Sequence, residues 1–149
     1  MKRNYILIAL GCLLLAACSS GKKRLEQGDY DTAVYKAVKR LQQKPQHGKA
    51  EKVLREAYTH AVNEHMEVIS YLDKTDNRFK YDRMVREYQQ IHYLNNAVRR
   101  YPFYAELVTL TDVKDELVFV KNEAAFAHKL RGEELLVVGD KARARDAFH

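Results

Sequence analysis

The sequence has few of the residues that interrupt or cross-link a chain. It contains two cysteines, two prolines and no tryptophan among 149 residues. Charged residues make up 31% of the chain, against about a quarter in a typical globular domain. This shortage of proline, combined with so many charges, favours long solvated helices over a sheet. The formal net charge of +6 is only mildly basic, because acidic and basic residues are interspersed.

Catalytic motifs are also missing. The sequence shows no Gly-rich phosphate loop, no Ser/His/Asp arrangement and no evident metal-binding cluster. His60, Glu64 and His65 lie on one predicted helix, but their spacing differs from the H-E-x-x-H and H-x-x-E-H motifs of zinc hydrolases. We therefore expect these three residues to form a solvated polar face. We predict that the protein is not an enzyme and that it has neither a metal site nor a bound cofactor.

One long apolar run is present, and it lies at the N-terminus. Lys2 and Arg3 precede an apolar stretch over residues 5–15, and small residues follow it as far as Ala17. A membrane-spanning helix needs about 20 apolar residues. The shorter run, with its positive start and small-residue end, indicates a secretory signal. A buried core helix is the alternative, but such a helix would be amphipathic or lie between other elements.

The residues Leu15-Ala16-Ala17-Cys18 resemble the lipobox of bacterial lipoproteins. This resemblance implies cleavage between Ala17 and Cys18, removal of residues 1–17 and a covalent lipid on the Cys18 thiol. Ser19 stands where an aspartate would signal retention at the inner membrane in well-studied lipoproteins. We therefore expect a lipid-anchored protein of the cell envelope, at the outer membrane and facing the periplasm.

Cleavage changes the composition of the mature chain. Cys12 is lost, so Cys18 is the sole remaining cysteine, no internal disulfide can form and the fold must rest on packing alone. Loss of Lys2 and Arg3 changes the net charge from +6 to 6 − 2 = +4. We expect residues 18–24 to form the lipidated cysteine and a short polar tether. Residues 25–149 would form one helical domain with a modest core.

A glycine-aspartate turn precedes the first helix predicted in this domain. The apolar residues at helical spacing are Tyr30, Ala33, Val34, Ala37, Val38 and Leu41. Gly28 allows a positive φ in a tight turn, and Asp29 can cap the helix that follows. Pro45 lies beyond the predicted end of the helix, which it cannot continue.

The segment from Glu26 to Ala33, followed by Leu41 and Pro45, resembles the second half of a tetratricopeptide repeat. The resemblance implies that Gly28 makes the turn between two helices and that Tyr30 packs between them. It also implies that the small side chain of Ala33 lets the helices approach closely.

The same spacing recurs near the end of the chain. The matching residues are Gly132, Leu135, Gly139, Asp140, Ala144 and Phe148. Lys141 replaces the turn tyrosine, so this copy is imperfect. Two such turns, each followed by a helix with an alanine at the same position, imply an all-α fold. The expected architecture is a partial solenoid of tetratricopeptide-like antiparallel helical hairpins.

Between the two copies, the pattern departs from that family. The apolar spacing predicts a helix from Ala50 to Leu72, a polar break over residues 73–77 and a second long helix from Tyr81 to Tyr101, which would form an antiparallel hairpin. We expect a packed loop over residues 103–111, where a short strand is the alternative. A further helix is predicted from Val113 to the Gly139 turn, with Asp112 as its cap.

The tyrosines permit a second interpretation. Seven of them lie between residues 58 and 104 and interleave with basic residues, an arrangement that suits stacking on nucleic acid. Secretion argues against a nucleic-acid partner, and most of these tyrosines occupy core-facing positions. We expect Tyr71, Tyr93 and Tyr104 to be exposed and suited to a protein interface.

Two functions agree with this organisation. The first is a non-catalytic scaffold, anchored by lipid, that binds a protein partner of the cell envelope, for example in envelope or outer-membrane assembly. The second is the anchoring part of a longer envelope enzyme acting on peptidoglycan or carbohydrate. His149 directly follows Phe148 within the last predicted helix, and a solenoid needs about three repeats and a capping helix. We therefore expect the protein to continue beyond His149.

Overall fold

The computed structural model describes residues 21–148, and over this range the chain is all-α. It has six α-helices and one 3-10 turn, and the range contains no strand. The helices are α1 (Lys22–Glu26), α2 (Tyr30–Gln43), α3 (Gly48–Asp73), α4 (Lys80–Val98), α5 (Lys114–Val137) and α6 (Lys141–Ala147). The predicted all-α fold class is therefore confirmed for residues 21–148. Among the helices of this range, none combines the length and apolarity that a bilayer crossing requires.

The predicted tether is wrong at its C-terminal end. Residues 22–24 lie in α1, whose first turn is closed by hydrogen bonds from the amides of Arg24 and Leu25 to the carbonyl oxygen of Gly21. Gly21 is buried and has a φ of +87°. Close packing of its backbone against Ala33 of α2 explains why these basic residues are ordered, because the packing fixes the start of α1.

The described chain divides into two compact units. Unit 1 comprises residues 21–61 and 94–110. Its core includes the completely buried side chains of Val34, Leu41, Leu54, Leu94 and Val98. The inward face of α2 is the face that the spacing predicted, and its buried residues are Ala33, Val34, Ala37, Val38 and Leu41. Tyr58 and Asn95 are hydrogen-bonded within the same core.

Unit 2 comprises residues 62–93 and 111–148. Its core is formed by Ile69, Met84, Ile91, Leu117, Val120 and Leu135. Two contacts fix the direction of the helices there: His65 of α3 pairs with Glu87 of α4, and Asp73 at the end of α3 is contacted by Lys80 at the start of α4. Within this unit α3 and α4 are therefore antiparallel.

Hydrogen bonds from Lys80 stabilise the connection between α3 and α4. The polar break predicted at residues 73–77 is confirmed, since α3 ends at Asp73 and α4 begins at Lys80. The Lys80 ammonium donates to the carbonyl oxygens of Asp73 at 2.7 Å and Thr75 at 3.2 Å. Cations near the carbonyl end of a helix are favourable because they satisfy its free acceptors.

The segment over residues 103–111 is a loop, as predicted, and it contains the 3-10 turn Tyr104–Glu106 and the buried Val108. The predicted capping role of Asp112 needs correction. The N-cap residue of α5 is Val113, which makes no side-chain capping bond, while Asp112 Oδ1 accepts a hydrogen bond from the Lys114 amide at 3.2 Å.

Candidate functional site

The predicted cleavage and lipidation residues, Ala17 and Cys18, lie outside the described residues. The signal peptide and the lipid anchor therefore stay predictions. The residues assigned to the two repeat copies, by contrast, all lie within the described range, and the structure places them as follows.

The first glycine-aspartate turn joins α1 to α2. Gly28 has a φ of +75°, and its amide donates to the carbonyl oxygen of Leu25. The Asp29 amide donates to the carbonyl oxygen of Arg24 at 3.0 Å. These two bonds form the Schellman arrangement that ends many helices. Asp29 Oδ1 then accepts from the Thr32 amide at 3.3 Å and starts α2.

The second glycine-aspartate turn joins α5 to α6 with the same geometry. Gly139 has a φ of +79°, and its amide donates to Leu136 while the Asp140 amide donates to Leu135. Asp140 Oδ1 accepts from the Arg143 amide at 3.0 Å. The backbone angles of the two aspartates agree closely, with φ −87° and ψ 71° at Asp29 and φ −86° and ψ 73° at Asp140. The same turn geometry therefore occurs at both positions.

Charge stabilises both turns. The hydrogen bond from Thr32 holds the pKa of Asp29 below its ordinary value, and the Arg24 guanidinium at 3.1 Å acts in the same direction. The amide and side chain of Arg143 lower the pKa of Asp140 in the same way. Both carboxylates are thus held in the ionised form that accepts the capping hydrogen bonds.

A second pair of glycines lies seven residues before the turns, at Gly21 and Gly132. A methyl group at Gly21 would lie 2.6 Å from the carbonyl oxygen of Ala33. A methyl group at Gly132 would overlap the ring of Phe148. Ala33 and Ala144 are both completely buried. The spacing of Gly132 was recognised in the sequence, whereas Gly21 was missed, although its matching seven-residue separation from the turn glycine could have revealed it.

The remaining residues of the first copy make contacts within unit 1. The Tyr30 ring stacks on the His60 ring of α3, with centroids 4.9 Å apart. The carbonyl oxygen of Pro45 accepts a 2.9 Å hydrogen bond from the Tyr101 hydroxyl. In the second copy, Phe148 is about half exposed although its ring lies against Gly132.

The polar face predicted on α3 needs a partial correction. His60 and Glu64 are exposed, as predicted. His65 is not, because its Nδ1 lies 2.8 Å from Glu87 Oε2 of α4 and both side chains are about 15% exposed. Over residues 21–148, no group of three or more histidine, cysteine, aspartate or glutamate residues is arranged to hold a metal ion.

The tyrosine predictions are largely confirmed. Tyr71 and Tyr93 are exposed, at 70% and 50%, whereas Tyr104 is only partly exposed. Tyr58, Tyr88 and Tyr101 are buried, as core-facing positions require. Of the seven tyrosines between residues 58 and 104, these three are therefore packing residues.

A groove in unit 2 combines apolar and acidic side chains. It has a volume of about 370 Å³ and lies among α3, α4 and α5. Its main lining residues are Met66, Asp73, Tyr81, Tyr88, Glu116 and Phe119. The rings of Tyr81 and Phe119 meet edge to face, with centroids 6.3 Å apart. We call this feature the acidic groove.

The outer face of α5 carries exposed apolar side chains interspersed with charged ones, such as the Lys129–Glu133 ion pair. Its exposed apolar residues are Val118, Phe119, Phe126, Leu136 and Val137, each about half exposed or more. The opposite face packs into the core of unit 2 through Leu117, Val120, Ala127 and Leu135. Several large apolar side chains exposed on one helix face commonly mark a contact with another molecule. The outer face is therefore a candidate contact surface.

Comparison with protein-family models, with curated protein sequences and with solved structures finds no match to this chain.

Proposed function

We propose that this protein is a lipid-anchored scaffold of the bacterial cell envelope whose tetratricopeptide-like helices bind a protein partner. The lipobox-like sequence ending in Cys18 supports the anchor. The duplicated glycine-aspartate turn, with almost identical backbone angles at Asp29 and Asp140, is the observation that carries the scaffold. It recurs with a glycine seven residues earlier and a buried alanine four residues after the aspartate, which is the spacing of the repeat family.

The exposed apolar side chains of unit 2 support a binding role. Large apolar surfaces on a folded domain commonly mark contacts with other proteins. The aromatic residues Phe119 and Phe126 on α5 are more than half exposed, and aromatic side chains contribute strongly to protein interfaces. A scaffold uses such surfaces without needing catalytic residues.

Photocrosslinking in intact cells tests the scaffold. A photoreactive amino acid at Phe126 should give discrete, light-dependent adducts with envelope proteins. Lys39, on the exposed side of α2 in unit 1, is the control position and should give none. If every exposed apolar position of unit 2 behaved like Lys39, the scaffold proposal would be wrong.

Replacement of Cys18 tests the anchor separately. The Cys18→Ala variant should incorporate no labelled palmitate, because it lacks the thiol to which the lipid is predicted to be attached. A Cys12→Ala variant, altered within the predicted signal, is the matched control and should still be labelled. Palmitate incorporation by Cys18→Ala equal to that of the unaltered protein would contradict lipid attachment at Cys18.

A further inference from the structure

The acidic groove combines apolar, aromatic and acidic side chains. Exposed apolar side chains, Met66 and Phe119, lie at the groove together with the rings of Tyr81 and Tyr88. Two carboxylates, Asp73 and Glu116, line it as well. Apolar walls with a few polar groups are typical of binding sites, and the groove has a volume of about 370 Å³.

The residues that line the groove include two carboxylates, Asp73 and Glu116, and no basic side chain. Burial raises the pKa of the Tyr88 phenol above its ordinary value, and the carboxylates of Glu116 and Asp73 raise it further. A negative potential that disfavours the phenolate also favours a bound cation.

Only part of this negative charge is balanced within the protein. The Lys80 ammonium lies 4.0 Å from a carboxylate oxygen of Asp73, but its hydrogen bonds go to the backbone carbonyls of Asp73 and Thr75. Within the described part of the chain, Glu116 forms no ion pair with a basic side chain. A cation from outside the chain can therefore add an ion pair at Glu116.

We propose that the acidic groove binds a basic side chain, preferably an arginine, from an apolar segment of a partner protein. The aliphatic part of an arginine fits against Met66 and Phe119, as long basic side chains commonly lie along apolar surfaces. Its guanidinium group stacks on aromatic rings and pairs with carboxylates, here Asp73 and Glu116. This inference rests on the proposed scaffold function, because it names the chemistry of the partner.

Peptide binding measured by fluorescence anisotropy tests the groove. The mature lipoprotein in detergent micelles should bind a short fluorescein-labelled peptide that carries one arginine flanked by leucines. The same peptide with glutamate in place of arginine should bind at least about tenfold more weakly, because it removes the attraction and adds repulsion. Higher salt should weaken binding of the arginine peptide.

Two double variants test whether peptide binding depends on the carboxylates of the groove or only on the net charge of the protein. The double variant Asp73→Asn/Glu116→Gln should bind the arginine peptide about tenfold more weakly. The control Asp76→Asn/Asp115→Asn changes the net charge equally at exposed residues outside the groove and should bind like the unaltered protein. Circular dichroism checks that both variants remain helical.

Three results would overturn the groove proposal: no binding of the arginine peptide, equal binding of the glutamate peptide, or equal weakening by the groove variant and its control. The photocrosslinks from Phe126 report on the scaffold independently. If they persist in the Asp73→Asn/Glu116→Gln variant while the peptide test fails, only the groove assignment is wrong. If no exposed apolar position of unit 2 gives an adduct in the protein with an unaltered groove, the scaffold itself is wrong.

Discussion

At the scale of single residues, the side chains of Tyr58 and Asn95 are both buried and form a hydrogen bond with each other. The Tyr58 hydroxyl donates a 2.6 Å hydrogen bond to Asn95 Oδ1 within unit 1. Asn95 is 3% exposed, and within residues 21–148 it is the one polar side chain in the buried class. A hydrogen bond in a core is costly to remove, because the remaining polar group keeps its desolvation penalty.

We expect Tyr58→Phe to lower the free energy of unfolding by about 1–2 kcal/mol. Tyr71→Phe removes the same hydroxyl from a side chain that is 70% exposed, so it should have an effect below about 0.5 kcal/mol. Urea unfolding followed by circular dichroism measures both. Equal stabilities for the two variants would show that the buried bond contributes nothing.

The backbone at Gly21 is subject to two restraints at once. Its φ of +87° is unfavourable for residues with a side chain, and an added methyl group would lie 2.6 Å from the Ala33 carbonyl oxygen. A left-handed conformation alone costs about 1–2 kcal/mol in other residues. We therefore expect Gly21→Ala to loosen α1, so that its amide hydrogens exchange about tenfold faster with solvent.

Gly48→Ala provides the control for Gly21→Ala. Open space surrounds Gly48 and its φ is not positive, so the substitution should leave amide exchange in α1 unchanged. Hydrogen exchange measured by NMR compares the two variants. If α1 exchanged equally in both, the close approach of Gly21 to Ala33 would have no role in holding that helix.

The capping carboxylates give the protein a predictable response to acid. Because the pKa values of Asp29 and Asp140 are lowered on folding, the unfolded chain takes up protons first as the pH falls. The stabilisation is complete above the ordinary pKa of 3.8 and is lost as the pH falls through the lower folded values. Stability should therefore decrease on the acid side and not near neutral pH.

An NMR titration of the carboxyl carbons tests this response, with expected midpoints below 3.8 for both aspartates. Asparagine can still accept the capping hydrogen bond but does not titrate. We expect Asp29→Asn/Asp140→Asn to show a weaker loss of stability in acid than the unaltered protein. Midpoints at or above 3.8 would contradict the proposed capping interactions.

At the scale of elements, α5 carries apolar side chains on two faces that have different environments. Val120 points into the core of unit 2 and is 2% exposed, whereas Val118 on the other side is 58% exposed. Val120→Ala should lower the free energy of unfolding by about 2 kcal/mol, because it removes two buried methyl groups and leaves a cavity.

Val118→Ala is the matched substitution on the outer face and should change the stability of the purified protein by less than about 0.5 kcal/mol. Urea unfolding compares it with Val120→Ala. A large loss at Val118 would mean that the outer face of α5 is covered in the isolated protein, and so is not a free contact surface.

At the scale of the whole molecule, residues 19–149 contain no cysteine, so stability depends on packing in each unit. We expect a reducing agent to leave the urea midpoint of the mature protein unchanged, because the Cys18 thiol is predicted to be blocked as a thioether. Unfolding with and without reductant, together with a non-reducing gel, measures this. A reductant-sensitive dimer would show that Cys18 carries a free thiol and would contradict lipidation.

Sequence patterns located the helices and their turns well because these depend on neighbouring residues. The apolar spacing of α2 correctly predicted its buried face, and Gly28 and Asp29 correctly predicted the turn before it. The same reasoning failed at Lys22 and Lys23, where it predicted a tether. Nothing in their polar side chains indicates a helix, and α1 is held by the packing of Gly21 against Ala33.

The contacts between residues of the candidate site could not be predicted from sequence patterns in the same way. His65 and Glu87 are 22 residues apart, and Asp73 and Glu116 come from different helices, so no local spacing associates them. The alternative for residues 106–111, a strand, also had to be decided by context. The structure describes a loop there, anchored by the buried Val108.

The sequence by itself determined the long helices, the two glycine-aspartate turns and the inward face of α2, because propensity, capping and helical period act over a few residues. Only the tertiary structure decided which residues of different helices contact one another, because such contacts join residues far apart in the chain. His65 and Glu87, for example, are 22 residues apart and lie 2.8 Å from each other. The acidic groove likewise exists only because folding brings α3, α4 and α5 together.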